Sequence, residues 1–183
     1  MLKLSDNPPV TFPEAMGPRE QAGRWWVART KTRQEKLLAQ NLLQWEIPYF
    51  LPMIQKTRRR QGRRFQSMLP LFSGYLFFCG SEEHRVQALT TNRIAQVLDV
   101  ADQEGLVADL DQVHRAILAE VPIDPFPGLR PGIRCRVRSG PLLGIEGVIL
   151  KKKNVTRLLL KIEILGQAAS VEIDSELLDP LDG

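Results

Sequence analysis

The chain has 183 residues, 43% of them hydrophobic, with 25 Lys and Arg against 21 Asp and Glu for a formal net charge of +4. That is enough for one ordinary domain or two small ones with real cores, which excludes a disordered or fibrous chain. No apolar run approaches the roughly 18 residues of a membrane span, and the N-terminus lacks the basic-then-apolar order of a signal peptide, so a cytoplasmic protein without membrane association is expected. The basic character is local: residues 24–80 carry a net +9 and residues 81–127 a net −6. Its electric field should be local too.

Residues 1–23 hold Pro8, Pro9, Pro13 and Pro18 without a sustained apolar period, a composition expected to give a flexible tail. Order begins at RWWVART, whose successive bulky residues suit a strand packed on both faces. Thr32 and Glu35 then have the spacing of a capping box, and Leu38, Leu42 and Trp45 follow at helical intervals until Pro48 ends the helix. YFLPMIQKT and SGYLFFCG read as strands flanking the stretch RRRQGRRF, with a turn at Gln61-Gly62, which puts Arg58, Arg59, Arg60, Arg63 and Arg64 at a projecting tip. SEEHRVQALT reads as a short helix, IAQVLDV as an edge strand, and DLDQVHRAILAEV as an amphipathic helix with Val113, Ile117 and Val121 on one face.

The order is strand, helix, strand, strand, helix, strand, plus one further helix. It predicts an α+β chain whose residues 24–120 form a split βαβ, ferredoxin-like domain. PIDPFPGLRPG is a break stiffened by proline, so a linker is placed at 121–128. IRCRVRS, EGVILKKK, RLLLKIEIL and ASVEID are short strands between polar or glycine-containing turns, and residues 129–183 are expected to form a small all-β barrel of the KOW or SH3-like kind. Cys79 and Cys135 each fall in a strand and are expected as buried thiols.

The histidines, His84 and His114, have no second ligand or carboxylate at useful spacing. With no nucleophile set, paired carboxylates, metal cluster or phosphate loop, neither catalysis nor a metal or other cofactor is expected. SGYLFFCG says more. Tyr75 and Phe77 point to one side of a strand and Leu76 and Phe78 to the other, so both faces are apolar, and only one can lie beneath two helices. The other is a candidate partner surface. The arginines crowd five guanidiniums together, an arrangement suited to phosphate by charge and bidentate geometry but not to reading base sequence.

GIRCRVRSGPLLGIEGVIL, in which Gly144 and Gly147 allow a positive φ or a close backbone approach, closely resembles a KOW motif. With RWWVART, PLFSGYLFF and LKIEILGQAASVEIDSELLDPL in that order, residues 24–183 resemble the NusG family of transcription factors. The resemblance implies an elongation or antitermination factor, monomeric and non-catalytic, docked on the clamp helices of RNA polymerase. Trp26, Tyr75 and Phe77 are its implied anchors, and Arg85, Val86 and Gln87 its contact with the polymerase gate loop. Ser73 replaces the proline usual in that strand motif. Lys31 and Arg93 match positions that touch the non-template strand in sequence-specific relatives, and the long basic hairpin is similar to specialised RfaH-type paralogues, with its arginines facing upstream or non-template DNA. Leu165 matches the apolar position that relatives present to Rho or to a small-subunit ribosomal protein. The SVEID ending resembles the stable β form of the C-terminal domain. The competing reading is an RRM-like or ribosome-associated RNA-binding protein with a KOW domain, in which Tyr75 and Phe77 stack bases beside cationic side chains.

Overall fold

The computed structural model describes residues 6–60, 63–126, 132–152 and 155–181. The chain divides into two compact units, Met1–Gln103 and Glu104–Gly183.

In the first unit, β2 (Arg24–Thr30) is followed by α1 (Glu35–Gln44), β3 (Tyr49–Phe50), a ribbon of β4 (Met53–Arg60) and β5 (Arg63–Pro70), then β6 (Tyr75–Gly80), α2 (Glu82–Thr90) and β7 (Ile94–Leu98). With β1 (Thr11–Phe12), the main sheet has the order β1-β3-β6-β2-β7. The last four strands are those of a split βαβ domain, with β6 inserted antiparallel between β3 and β2. The helices cover the face that carries Trp26, Tyr49, Leu76 and Phe78, and Leu38, Leu42 and Ala88 fill the interface.

Residues 6–23 are not a flexible tail. Val10 O accepts from Leu51 N at 2.7 Å, Pro9 O accepts the Tyr49 hydroxyl at 3.1 Å, and β1 pairs antiparallel with β3. The Phe12 ring stacks on Tyr49 with centroids 6.3 Å apart. The prolines spare this segment backbone donors, while its carbonyls find partners in the domain.

The expected capping box on α1 does not form. Helix α1 starts at Glu35 behind Gln34, with no side-chain cap, and the buried Glu35 carboxylate instead accepts from Gly74 N at 2.7 Å. It thereby ties the helix to the turn before β6, whose Gly74 carbonyl accepts from Thr30 N at 2.8 Å. Glu35→Ala strands the Gly74 amide and is expected to cost about 1–3 kcal/mol in urea unfolding, whereas Glu35→Gln, which keeps an acceptor, should cost less.

The arginine stretch also differs from expectation. Its strands are β4 and β5, which among the described residues form a two-stranded sheet of their own, rather than β3 and β6. Pro52 interrupts the chain after β3, and Leu71 N donates to Pro52 O at 2.8 Å to close the ribbon's foot. The turn at Gln61-Gly62 lies outside the described residues.

The second unit holds α3 (Gln103–Leu118), except its first residue, and one antiparallel sheet of β8 (Ile123–Phe126), β9 (Arg134–Val137), β10 (Glu146–Lys152), β11 (Val155–Ile162), β12 (Gln167–Glu172) and β13 (Leu178–Pro180), in the order β13-β9-β10-β11-β12-β8. This unit is strand-rich, as expected, and β9 alternates, with Cys135 and Val137 inward and Arg134 and Arg136 outward. Gly144 adopts φ +79°, and a Cβ on Gly147 would stand 2.5 Å from Leu159 O, so both glycines are required by the backbone.

Two boundaries move. Helix α3, assigned from sequence to a domain ending at residue 120, reaches the β domain with three polar side chains. Arg115 Nη2 donates to Leu143 O at 2.5 Å, Asp109 Oδ2 accepts from Glu163 N at 2.8 Å, and Gln112 Oε1 accepts from Glu146 N at 3.3 Å. The expected linker at 121–128 contributes β8, antiparallel to β12 with Pro125 opposite Ala169. Proline is tolerated there because β8 is the outermost strand of the sheet. Residues 127 and 128 lie outside the described residues.

Cys79 and Cys135 are both buried free thiols. Burial pushes the Cys79 thiol up to about 11, so it is protonated and unreactive near neutral pH. No helix among the described residues is long and apolar enough to cross a membrane.

Candidate functional site

The register of β2 on β6 decides which aromatic rings share a face. Trp26 stands opposite Phe78, Val27 opposite Phe77, and Arg29 opposite Tyr75. Trp26 therefore does not share the Tyr75 and Phe77 face. It stacks on Phe78 at 5.4 Å within the helix-side core and is 4% exposed. That corrects its expected place as a surface anchor.

Phe77 does lie on the second face, stacked with Phe50 at 6.3 Å and meeting the edge of Phe72 at 6.4 Å, but it is 0% exposed. Tyr75 is half-buried, at the end of β6 where Gly74 and Arg29 border it, and Arg29 is exposed. The backbone turn that presents Tyr75 is fixed by Glu35 and Thr30, and Tyr75 N donates to Phe72 O at 3.2 Å. Phe50 and Phe72 are contributors that the sequence did not single out, and Glu35, expected as a helix cap, contributes here through Gly74 instead.

Lys31 and Arg93, 62 positions apart in the chain, come together. Lys31 N donates to Arg93 O at 2.8 Å, and Lys31 Nζ donates to Asn92 Oδ1 at 2.6 Å. The Arg93 guanidinium donates to Asn41 Oδ1 at 2.8 Å and to Gln34 Oε1 at 2.5 Å. All three side-chain partners are neutral amides, which orient the two cations without cancelling their charge, as a phosphate site requires. The exposed Arg33, at φ +60°, stands in the adjoining turn.

On α2, Ser81 caps the helix, and Arg85 is not a free cation, because its guanidinium is paired with Glu82, which holds that carboxyl below the usual range. Val86 is 51% exposed and Leu89 40%, two apolar side chains on an outward surface that also exposes Glu82, Glu83 and Thr90. Gln87 is half-buried between them in sequence.

The ribbon of β4 and β5 has eight residues in each strand, so it extends roughly 26 Å at 3.3 Å per residue. Arg59 stands opposite Arg64, and Arg60 opposite Arg63, with Arg58 opposite Phe65. Like charges directly opposite each other on an antiparallel pair are destabilising. The register alone sets four arginines in two facing pairs. Arg64 is exposed, whereas the side chains of Arg58, Arg59, Arg60 and Arg63 lie outside the described part.

In the second unit, Leu165 ends a single 3-10 turn, Glu163–Leu165, and is half-buried ahead of Gly166 at φ +60°. Lys161 and Glu163 pair at 2.6 Å beside it. Among the described residues, no group of three or more His, Cys, Asp or Glu is placed to hold a metal ion.

Against known proteins, the family model described as transcription termination factor nusG matches residues 23–115, which is 93 of the 183 residues. Its match runs into α3, past the end of the first compact unit at Gln103. No curated protein matches the chain. Among solved structures, one described as domain interaction in Thermotoga maritima NusG is similar at 15% identity and a TM-score of 0.46, covering 88% of this chain and 98% of its own. Another, of the MjSpt4:Spt5 complex, is similar at 11% identity and a TM-score of 0.26, covering 87% of this chain and 97% of its own. The matched segment spans the whole split βαβ sheet from β2 to β7 together with the inserted arginine ribbon, and on that match the chain belongs to the NusG family.

Proposed function

We propose that this chain, a transcription elongation factor by its family, docks on the clamp helices of RNA polymerase through the Tyr75 end of its sheet, lays its arginine ribbon against nearby DNA and recruits a partner through Leu165. NusG-family proteins are non-enzymatic and bind RNA polymerase. Tyr75 makes the first contact, and Phe77 joins it when its face is freed. Trp26 supports that surface from the opposite side. Val86, with Arg85 and Gln87, offers an apolar contact on α2 suited to the gate loop. Lys31 and Arg93 meet the displaced non-template strand, and the ribbon meets upstream or non-template phosphates. Leu165 presents its side chain to Rho or to a small-subunit ribosomal protein.

The observation that carries this reading is the family match across the sheet that holds Tyr75. The test is co-purification of the chain with core RNA polymerase. The wild type should be retained, and Tyr75→Ala, verified as folded by circular dichroism, should bind about 30-fold more weakly, the effect of losing a tyrosine anchor worth about 2 kcal/mol. Arg29 across from Tyr75 gives the competing RNA reading its cation. A wild type that ignores polymerase yet binds single-stranded RNA with a steep salt dependence, lost in Tyr75→Ala, would replace docking with base stacking.

A further inference from the structure

The arginine ribbon leaves the first unit as a separate sheet, so no ladder of hydrogen bonds to the main sheet fixes its direction. Its foot is where the chain passes from buried to exposed. Met53, Ile54 and Ser67 are buried, while Thr57, Arg64 and Gln66 are exposed. At that transition a single ammonium joins three elements. Lys36 Nζ, on α1, donates to Met68 O of β5 at 2.5 Å and to Asn7 Oδ1 of the N-terminal arm at 2.5 Å.

The arm is itself held along its length. Gln40 Nε2 donates to Asp6 O at 3.2 Å, Tyr49 donates its hydroxyl to Pro9 O, and Leu51 N donates to Val10 O. Residues 6–12 therefore run from the surface of α1 to the β3 edge, and all of them precede the segment matched by the family model. Desolvation lowers the Lys36 pKa, as expected for an ammonium enclosed by these three elements.

We propose that residues 6–12 are a brace for the arginine ribbon, with Asn7 and Lys36 as positioning residues that lock the ribbon's foot through Met68 O and so set the direction in which its arginines meet a nucleic-acid backbone. The polyanion half of this statement rests on the function proposed above, whereas the brace does not. Asn7 gives the Lys36 ammonium a second fixed acceptor beside the ribbon carbonyl. Without it the ammonium is free to turn toward water, and the ribbon gains orientational freedom that must be lost again on binding.

The test uses the full chain with one spin label at Gln66→Cys on the ribbon and one at Gln96→Cys on β7, both exposed positions on different sheets. Cys79 and Cys135 are buried and should not label. Electron–electron double resonance reads the distance distribution, and fluorescence anisotropy with a duplex DNA probe reads affinity. Asn7→Ala and Lys36→Met should each broaden the distribution, and the pair should broaden it no further than either alone. Both should weaken DNA binding about tenfold, the upper end for one lost hydrogen bond. Asn7→Asp, which restores an acceptor for the ammonium, should recover a narrow distribution, a rescue that a general loss of stability would not give. Distributions as narrow in both variants as in the wild type would overturn the brace. If the distributions broaden as expected but the wild type binds no DNA, the brace stands and the polyanion reading of the ribbon fails.

Discussion

Replacing Arg58, Arg59, Arg60, Arg63 and Arg64 together by Gln should remove most of the chain's affinity for DNA while leaving its melting temperature unchanged or slightly raised. The argument is electrostatic. Arg59 opposes Arg64 and Arg60 opposes Arg63 across the ribbon, in a segment, residues 24–80, of net charge +9. If each arginine neutralises one phosphate, the ribbon contributes a slope of roughly −4.5 to the dependence of log affinity on log salt, and binding falls roughly 500-fold between about 50 and 200 mM salt. The substituted chain should lose that slope. Fluorescence anisotropy with a duplex probe at several salt concentrations measures both quantities. Affinity should fall to the same extent on probes of unrelated sequence, because phosphate contacts position a protein without reading bases. A variant that keeps the slope would move the nucleic-acid interface elsewhere, with Lys31 and Arg93 next in line. The ribbon's own stability should respond in the opposite sense, since removing like charges that face each other relieves repulsion.

The two helices and four strands of the split βαβ sheet were legible in the sequence in their order, as was the strand-rich character of the second unit, whereas β1, β5 and β8 were not. What decided the site was register, which the sequence did not carry. RWWVART contains two successive tryptophans, and either could have faced the helices. Only the alignment of Trp26 with Phe78 puts Trp26 in the core and leaves Phe77 beside Phe50 and Phe72. A slip of one residue would exchange those faces, which is why the aromatic content of the strand was readable and its orientation was not.

The N-terminal arm was misread for a different reason. Most of its anchors are the main-chain carbonyls of Asp6, Pro9 and Val10, its side-chain anchors Asn7 and Phe12 form no periodic pattern, and its prolines resemble a disordered composition. The arginine stretch was read as a hairpin but assigned to the wrong strands, because Pro52 divides a run that otherwise reads as continuous. Glu35 illustrates competition between local and tertiary partners. Thr32 and Glu35 have the right spacing for a cap, yet Gly74 N receives the carboxylate instead.

Trp26→Ala and Phe77→Ala should each cost about 3–5 kcal/mol in stability, since both rings are buried and their removal leaves large cavities. For a domain of ordinary stability that is a substantial part of the total, so both variants should lose RNA polymerase largely by unfolding. Loss of binding in either is therefore no evidence of contact. The informative substitutions keep the core filled. Trp26→Phe retains an aromatic ring against Phe78 and should destabilise modestly; once folded, it should bind polymerase like the wild type, because Trp26 faces the helices rather than the docking surface. Phe77→Leu preserves apolar volume between Phe50 and Phe72 and should weaken polymerase binding only if the Phe77 face is freed on docking. Tyr75→Ala should weaken it with little loss of stability, since Tyr75 is half-buried at the end of its strand. Urea denaturation beside polymerase co-purification for these variants separates support from contact. Should folded Trp26→Phe lose polymerase while Tyr75→Ala keeps it, the docking surface would lie on the helix side of the sheet, and Val86 and Leu89 on α2 would be the residues to substitute next.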